Sequence, residues 1–284
     1  MNPRNAKLAG LVIASLCCSL SLAKAEPPTA AEKLGWRLGV QAWTFRALTF
    51  FETVDQAHQL GLKYIEMYPG QKLKPGADAK TGPGMSDAEI AEMQTQLKAA
   101  GVKLVSFGVN PIPTAEAAAR KHFEWAKKLG LEVLVTETTP NELLDKLSGE
   151  SGIKIALHNH PTTWPPDQVL AATTNLSPRI GACADTGHWK RAGLNPVATF
   201  KQMEGRVVHS HFKDVAPVAG AKGLLDQPWG TGQCDVPGML AELKRQHYHG
   251  YLMIEYEHGM VEELMRDLPK CITFFNQTAT ELSK

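Results

Sequence analysis

Ala182-Cys183-Ala184-Asp185-Thr186-Gly187-His188-Trp189 continues a short apolar run that begins at Ile180 and ends in a turn carrying a carboxylate and an imidazole. A second run, Val207-Val208-His209-Ser210-His211-Phe212-Lys213-Asp214, ends in the same way, and Pro196 to Met203 between them has helical character. Strand, polar tip, helix, strand, polar tip is the rhythm of a parallel sheet whose chemistry lies at the carboxyl ends of its strands.

The same alternation runs along the chain in both directions from this point. Strand-like runs are Leu38 to Trp43, Lys63 to Tyr68, Val102 to Phe107, Leu131 to Glu137, Ile153 to His158, Ile180 to Ala184, Val207 to Phe212 and Tyr251 to Tyr256. Helical segments separate them, and Gly61, Gly101 and Gly130 stand where helices stop. Ser86 and Glu89 have the spacing of a capping box that opens one of these helices. Eight strand–helix units predict a closed (β/α)8 TIM barrel in a single domain, residues 26–284. An open doubly wound sheet is disfavoured, because no Gly-x-Gly-x-x-Gly follows the first strand. Pro69 to Gly84, rich in Gly, Pro and Lys, is long enough to read as a functional loop.

The first 25 residues read differently. Arg4 and Lys7 precede an apolar stretch from Leu8 to Leu22, and Ala23-Lys24-Ala25 supplies a small-x-small cleavage site. That is the layout of a cleavable signal peptide, so export, to the periplasm, is expected without a stable membrane anchor. Removing it leaves about 260 residues, the usual size of such a barrel. At 43% hydrophobic and 21% charged the chain can bury a large core, and a net charge of +1 gives nucleic acid no electrostatic footing. Cys183, Cys234 and Cys271 follow the leader, an odd and widely spaced set that reads as small buried hydrophobes. The composition leaves room for a homo-oligomer.

The predicted strand ends bring four distant side chains to one mouth: Glu137, Asp185, His211 and Glu255. Three carboxylates and an imidazole make an oxygen-rich set suited to one divalent metal ion, Mn²⁺ first, with Mg²⁺, Co²⁺ or Zn²⁺ also accommodated. Glu257 shares a face with Glu255 and is an alternative ligand. His209 sits one layer below His211 and reads as packing, and Glu66 ends the second strand within reach of the mouth. His158 and His160 share a face of the fifth strand and can bond hydroxyl groups. Lys213 can neutralise an oxyanion or pair with a carboxylate. Trp43, Phe45 and Trp229 can wall a sugar by stacking on its apolar face.

These motifs resemble the xylose isomerase-like sugar phosphate isomerase/epimerase barrels. The likeness covers nearly the whole chain after the leader. It is carried by Asp185-Thr186-Gly187-His188, His211-Phe212-Lys213-Asp214, the Gly230-Thr231-Gly232 turn with Asp235 behind it, and Ile254-Glu255-Tyr256-Glu257. The resemblance implies that Glu137, Asp185, His211 and Glu255 hold the metal and that His188 faces the substrate. Where many relatives have a Glu in the fifth strand this chain has His158-Asn159-His160, which points away from sugar phosphates. The implied partner is a small sugar or keto-sugar, with Glu137 and Glu255 as the catalytic pair that moves a proton beside a carbonyl. Isomerisation or epimerisation is the leading outcome; elimination from a 3-keto-glycoside, by a lyase or hydratase, shares the first step. A non-catalytic sugar-binding protein is the other reading.

Overall fold

The computed structural model describes residues 27–284, so the leader expected over 1–25 lies outside the described residues. The strands are β1 (Trp36–Gln41), β2 (Tyr64–Met67), β3 (Lys103–Phe107), β4 (Val133–Thr136), β5 (Lys154–His158), β6 (Ile180–Asp185), β7 (Val207–Phe212), β8 (Asp214–Pro217), β9 (Leu224–Gln227) and β10 (Gly250–Ile254). Eight of them close a parallel barrel in the order β1-β10-β7-β6-β5-β4-β3-β2, while β8 and β9 form a separate antiparallel hairpin. The helices are α1 (Ala30–Lys33), α2 (Phe50–Gln59), α3 (Asp87–Ala100), α4 (Glu116–Lys128), α5 (Glu142–Ser151), α6 (Pro166–Thr173), α7 (Thr186–Arg191), α8 (Pro196–Gln202), α9 (Val236–Arg245) and α10 (Val261–Leu282). No helix among the described residues is long and apolar enough to cross a membrane.

Local sequence explains where these elements begin and stop. The Ser86–Glu89 capping box opens α3 as its spacing predicts, and Gly101 closes it at φ 66°, a left-handed conformation that glycine adopts without steric cost. Every residue of β6 is buried, as a barrel strand covered on both faces requires. The three cysteines are buried and free, the small-hydrophobe role expected of them.

Two features depart from the sequence reading. Thr186 to Trp189 is the first turn of α7, a short helix rather than a turn, because Asp185 caps it: one carboxylate oxygen accepts the His188 backbone N–H at 2.7 Å. The β8–β9 hairpin was not anticipated. It begins at Asp214, whose carboxylate accepts backbone N–H groups from Gly230, Gly232 and Cys234 at 2.8–3.0 Å. A Cβ on Gly232 would stand 2.2 Å from that carboxylate, so the Gly-Thr-Gly turn exists to bring backbone onto Asp214.

Candidate active site

The ends of β5, β6, β7 and β10 bring together His158, Asp185, His211 and Glu255, all buried, with one ligating atom from each within 4.8 Å of the others. Three of the four side chains expected to share a cation are therefore here, and His158 stands in the fourth place. Both nitrogens of His158 lack a hydrogen-bond partner, and Asp185 Oδ2 is met by the Lys213 ammonium at 2.9 Å. His158 Nε2 lies 3.6 Å from Asp185 Oδ2, and His211 Nδ1 lies 3.2 Å from Glu255 Oε2. Buried polar atoms without partners are costly, and a cation among them removes that cost. These four residues could hold one divalent ion.

The cluster is braced from several sides. Asn159 exchanges two hydrogen bonds with the backbone of Asp185, at 2.9 and 3.1 Å, which accounts for the middle residue of His-Asn-His. Thr186 Oγ donates to the Lys213 carbonyl and accepts the Lys213 N–H, pinning α7 to the end of β7. A Cβ on Gly187 would lie 2.8 Å from Cδ of Lys213, so only glycine lets that side chain pass. Lys213 then places its buried ammonium 2.9 Å from Asp185, 2.8 Å from Glu255 and 3.0 Å from Glu257. Glu257 is also held by Arg191 at 2.6 Å. Lys213 is thus an internal counter-ion and does not line the cavity above.

Glu66 supports His211 from behind. Its carboxylate is fully buried and meets His211 Nε2 at 2.9 Å and His209 Nε2 at 2.5 Å, and accepts from Gln41 at 2.6 Å and Ser106 at 2.7 Å. His209 is therefore a hydrogen-bonding partner as well as a packing residue, its ring 6.1 Å from Tyr251. Spacing alone could not reveal this, because Glu66 and the histidines are about 145 positions apart in sequence and meet only when the barrel closes.

Charge follows from these contacts. Burial pushes Asp185 and Glu255 toward the neutral form, but Lys213 and the imidazoles beside them outweigh it and hold both well below the usual carboxylate range. Burial would lower His211, yet Cys183, Glu66 and Glu255 around it raise it well above an ordinary imidazole. Burial dominates at His158, pushed down to about 4, and at His188, also lowered. A neutral imidazole is the form that ligates a metal.

Glu137 stands apart from the buried cluster. It is paired with His160 Nδ1 at 2.6 Å, both side chains partly exposed, and the Trp164 indole donates to its backbone carbonyl at 2.9 Å. Its Oε and the nitrogens of His158 and His160 form a second group within 4.8 Å of one another. The cavity above the cluster has a volume of about 300 Å³ and is lined by Trp43, His158, His160, His188, Glu255 and Glu257 among others. Trp229, expected at the substrate, is instead buried against Phe212 and Phe275, at ring distances of 5.0 and 6.2 Å. Phe45 is likewise core. Tyr68, which the sequence reading passed over, lines the cavity from the start of the long loop.

Comparison with known proteins bears on the fold and the family. The family model of xylose isomerase-like TIM barrels matches residues 54–273. The rhizopine catabolism protein MocC of Rhizobium meliloti is 30% identical over 127 residues, 38% of this chain and 38% of that protein. Inosose dehydratase of Clostridium beijerinckii is 26% identical over 133 residues, 40% of this chain and 44% of the enzyme. The match thus spans less than half the length of either curated relative. Among solved structures, an uncharacterised protein from Parabacteroides distasonis superposes with a TM-score of 0.68 at 30% identity, covering 86% of this chain and 99% of that one. D-psicose 3-epimerase in the presence of D-fructose (TM-score 0.63, 13% identity, 86% and 99% covered) and zinc-bound IolI (0.62, 16%, 87% and 99%) share the fold. The chain belongs to the xylose isomerase-like TIM barrel family.

Proposed function

We propose that this protein removes and returns a proton on the carbon beside a carbonyl of a sugar or keto-sugar, as an isomerase or epimerase. One divalent cation would be held by His158, Asp185, His211 and Glu255. The observation that carries this reading is the convergence of those four buried side chains, one ligating atom from each within 4.8 Å of the others, with both His158 nitrogens left without a hydrogen bond. Bound there, the ion would supply Lewis-acid polarisation of the carbonyl. With His158 in place of Glu137 the donors are two imidazoles and two carboxylates. That set accepts Mn²⁺, and suits Zn²⁺ and Co²⁺ better than Mg²⁺. The zinc held by the structural neighbour IolI is in keeping with it.

The chain's own residues divide the remaining work. Glu255, held deprotonated by Lys213 and His211, is a good cation ligand and a weak base. The proton is better handled at the rim, where Glu137 fixes Nδ1 of His160 and leaves Nε2 outside that bond. Glu137 then acts through His160, and the lowered basicity of His188 keeps it neutral to bond a hydroxyl. Export, read from the first 25 residues, is part of the same proposal.

Elimination is the second reading, favoured by the inosose dehydratase relatives, since a dehydratase begins with the same proton and then expels a leaving group. Incubating the Mn²⁺-loaded protein with a 3-keto-glucoside in D₂O separates the two. Deuterium uptake without aglycone release supports the epimerase; release supports the lyase. No exchange, together with unchanged metal content in Asp185→Ala and His211→Ala, overturns the proposal.

A further inference from the structure

The cavity has two unlike walls. One presents His158, His160, His188 and Glu255; the other, built from the loops after β1, β2 and β3, presents Trp43, Tyr68, Pro69 and Val109. Trp43 is 40% exposed, one of three large hydrophobic side chains left in solvent among the described residues. Its position is nonetheless fixed. Tyr68 meets it edge-on at 5.1 Å and 87°, and the Arg46 guanidinium lies 5.5 Å from its ring centre. Arg46 is tied in turn to the Glu257 carbonyl at 2.5 Å, and the Trp43 backbone N–H donates to Gln41 at 3.0 Å. Gln41 is the residue that also donates to Glu66.

An indole pinned in place and open to a cavity is a surface prepared for a flat apolar partner. A free monosaccharide carries hydroxyls around its whole ring, and those turned to this wall would find few groups to bond. We infer that Trp43, with Tyr68, is the stacking platform for a second ring carried by the substrate, which makes the substrate class a glycoside with an aryl or sugar aglycone. The reacting ring lies against the imidazoles and carboxylates, and the aglycone lies on the indole. The assignment of the reacting end rests on the function proposed above; the platform rests on the aromatic wall alone.

The test compares binding of phenyl β-D-glucopyranoside and methyl β-D-glucopyranoside to the metal-loaded full chain by calorimetry, so it needs no turnover. The phenyl glycoside should bind about tenfold more tightly, the size of effect one aromatic stacking contact supplies. The preference should collapse toward unity in Trp43→Ala and survive largely in Trp43→Phe. Equal binding of the two glycosides, binding of neither, or an undiminished preference in Trp43→Ala overturns the inference. A change in sedimentation of Trp43→Ala with the preference intact would also overturn it and assign the indole to a subunit contact. Failure of the proton-exchange reading appears separately, as no deuterium uptake by a keto-sugar while the phenyl preference persists.

Discussion

Two carboxylate–imidazole groups stand at the mouth of this barrel, and they obey different physics. Below, Asp185, Glu255, His158, His211 and Lys213 are buried together and their charges are set by one another. Above, Glu137 and His160 form a close pair with side chains 36% and 43% exposed. Water screens the upper pair and leaves the lower group to pay for every unmatched charge. The upper pair can therefore be altered at little cost to the fold, whereas the lower group is committed to one charge arrangement. Altering the lower group should unbalance the protein; altering the upper pair should affect chemistry alone.

The largest effect is expected at Lys213. Its ammonium touches three carboxylates and no solvent, so Lys213→Met takes the cation from between Asp185 and Glu255, while Glu257 keeps Arg191. Removing one partner from a buried ionic group costs about 3–5 kcal/mol. Denaturant unfolding of the metal-free variant should show a loss of that size, and Mn²⁺ or Zn²⁺ should restore part of it by binding only the folded state. A loss below about 1 kcal/mol would place the lower group on the same footing as the upper.

Acid separates the two groups next. Asp185, Glu255 and Glu66 have folded values below their unfolded ones, so their stabilisation is complete above about pH 4 and is lost as pH falls further. His158 and His122 are lowered to about 4, and His188 and His209 are lowered as well, so all four withdraw stability as pH drops below about 6.5. His211 is raised and does the reverse: its contribution is full below about pH 6.5 and fades as pH rises through its higher folded value. The histidines thus act in different windows, and the denaturation midpoint of the metal-free protein should already decline below about pH 6.5, as the lowered imidazoles take up protons, and fall further below about pH 4 with the carboxylates. A midpoint that stays flat between about pH 6.5 and 4 would mean that burial does not hold the lowered imidazoles neutral.

How legible all this was depended on the range of the interaction. The barrel could be read because each strand–helix unit is a local pattern: Val207–Phe212 lies where the apolar run predicts, and α3 begins and ends at its own cap residues. Asp185, His211 and Glu255 could be placed because each is the last polar residue on its strand or just beyond it. Glu137 also stands just past its strand, but β4 ends at Thr136 and the loop turns the carboxylate toward His160. His158 was available in the sequence as a hydroxyl binder; its place in the cluster depends on the inward-facing register of β5 against β6, where it pairs with Cys183. The pairing of Lys213 with a carboxylate was open to the sequence, but which carboxylates it meets, the Glu66 bridge and the buried position of Trp229 are contacts between residues far apart in the chain, and no local pattern encodes them.

The smallest effect on stability, and the sharpest on chemistry, is expected at the rim. Glu137→Gln keeps the shape of the side chain and can still accept a hydrogen bond from His160, so the exposed pair should lose no more than about 1 kcal/mol. Metal content should stay at the level of the unaltered protein, since Glu137 lies outside the buried group of four. The amide, however, cannot stabilise a charged His160, and a general acid–base contribution of about 10²–10⁴-fold is then at risk. Solvent exchange into a keto-sugar should fall by that order with metal content and unfolding midpoint unchanged. A variant that instead loses its metal would show that Glu137 turns inward when the ion is bound, joining the lower group and erasing the distinction between the two.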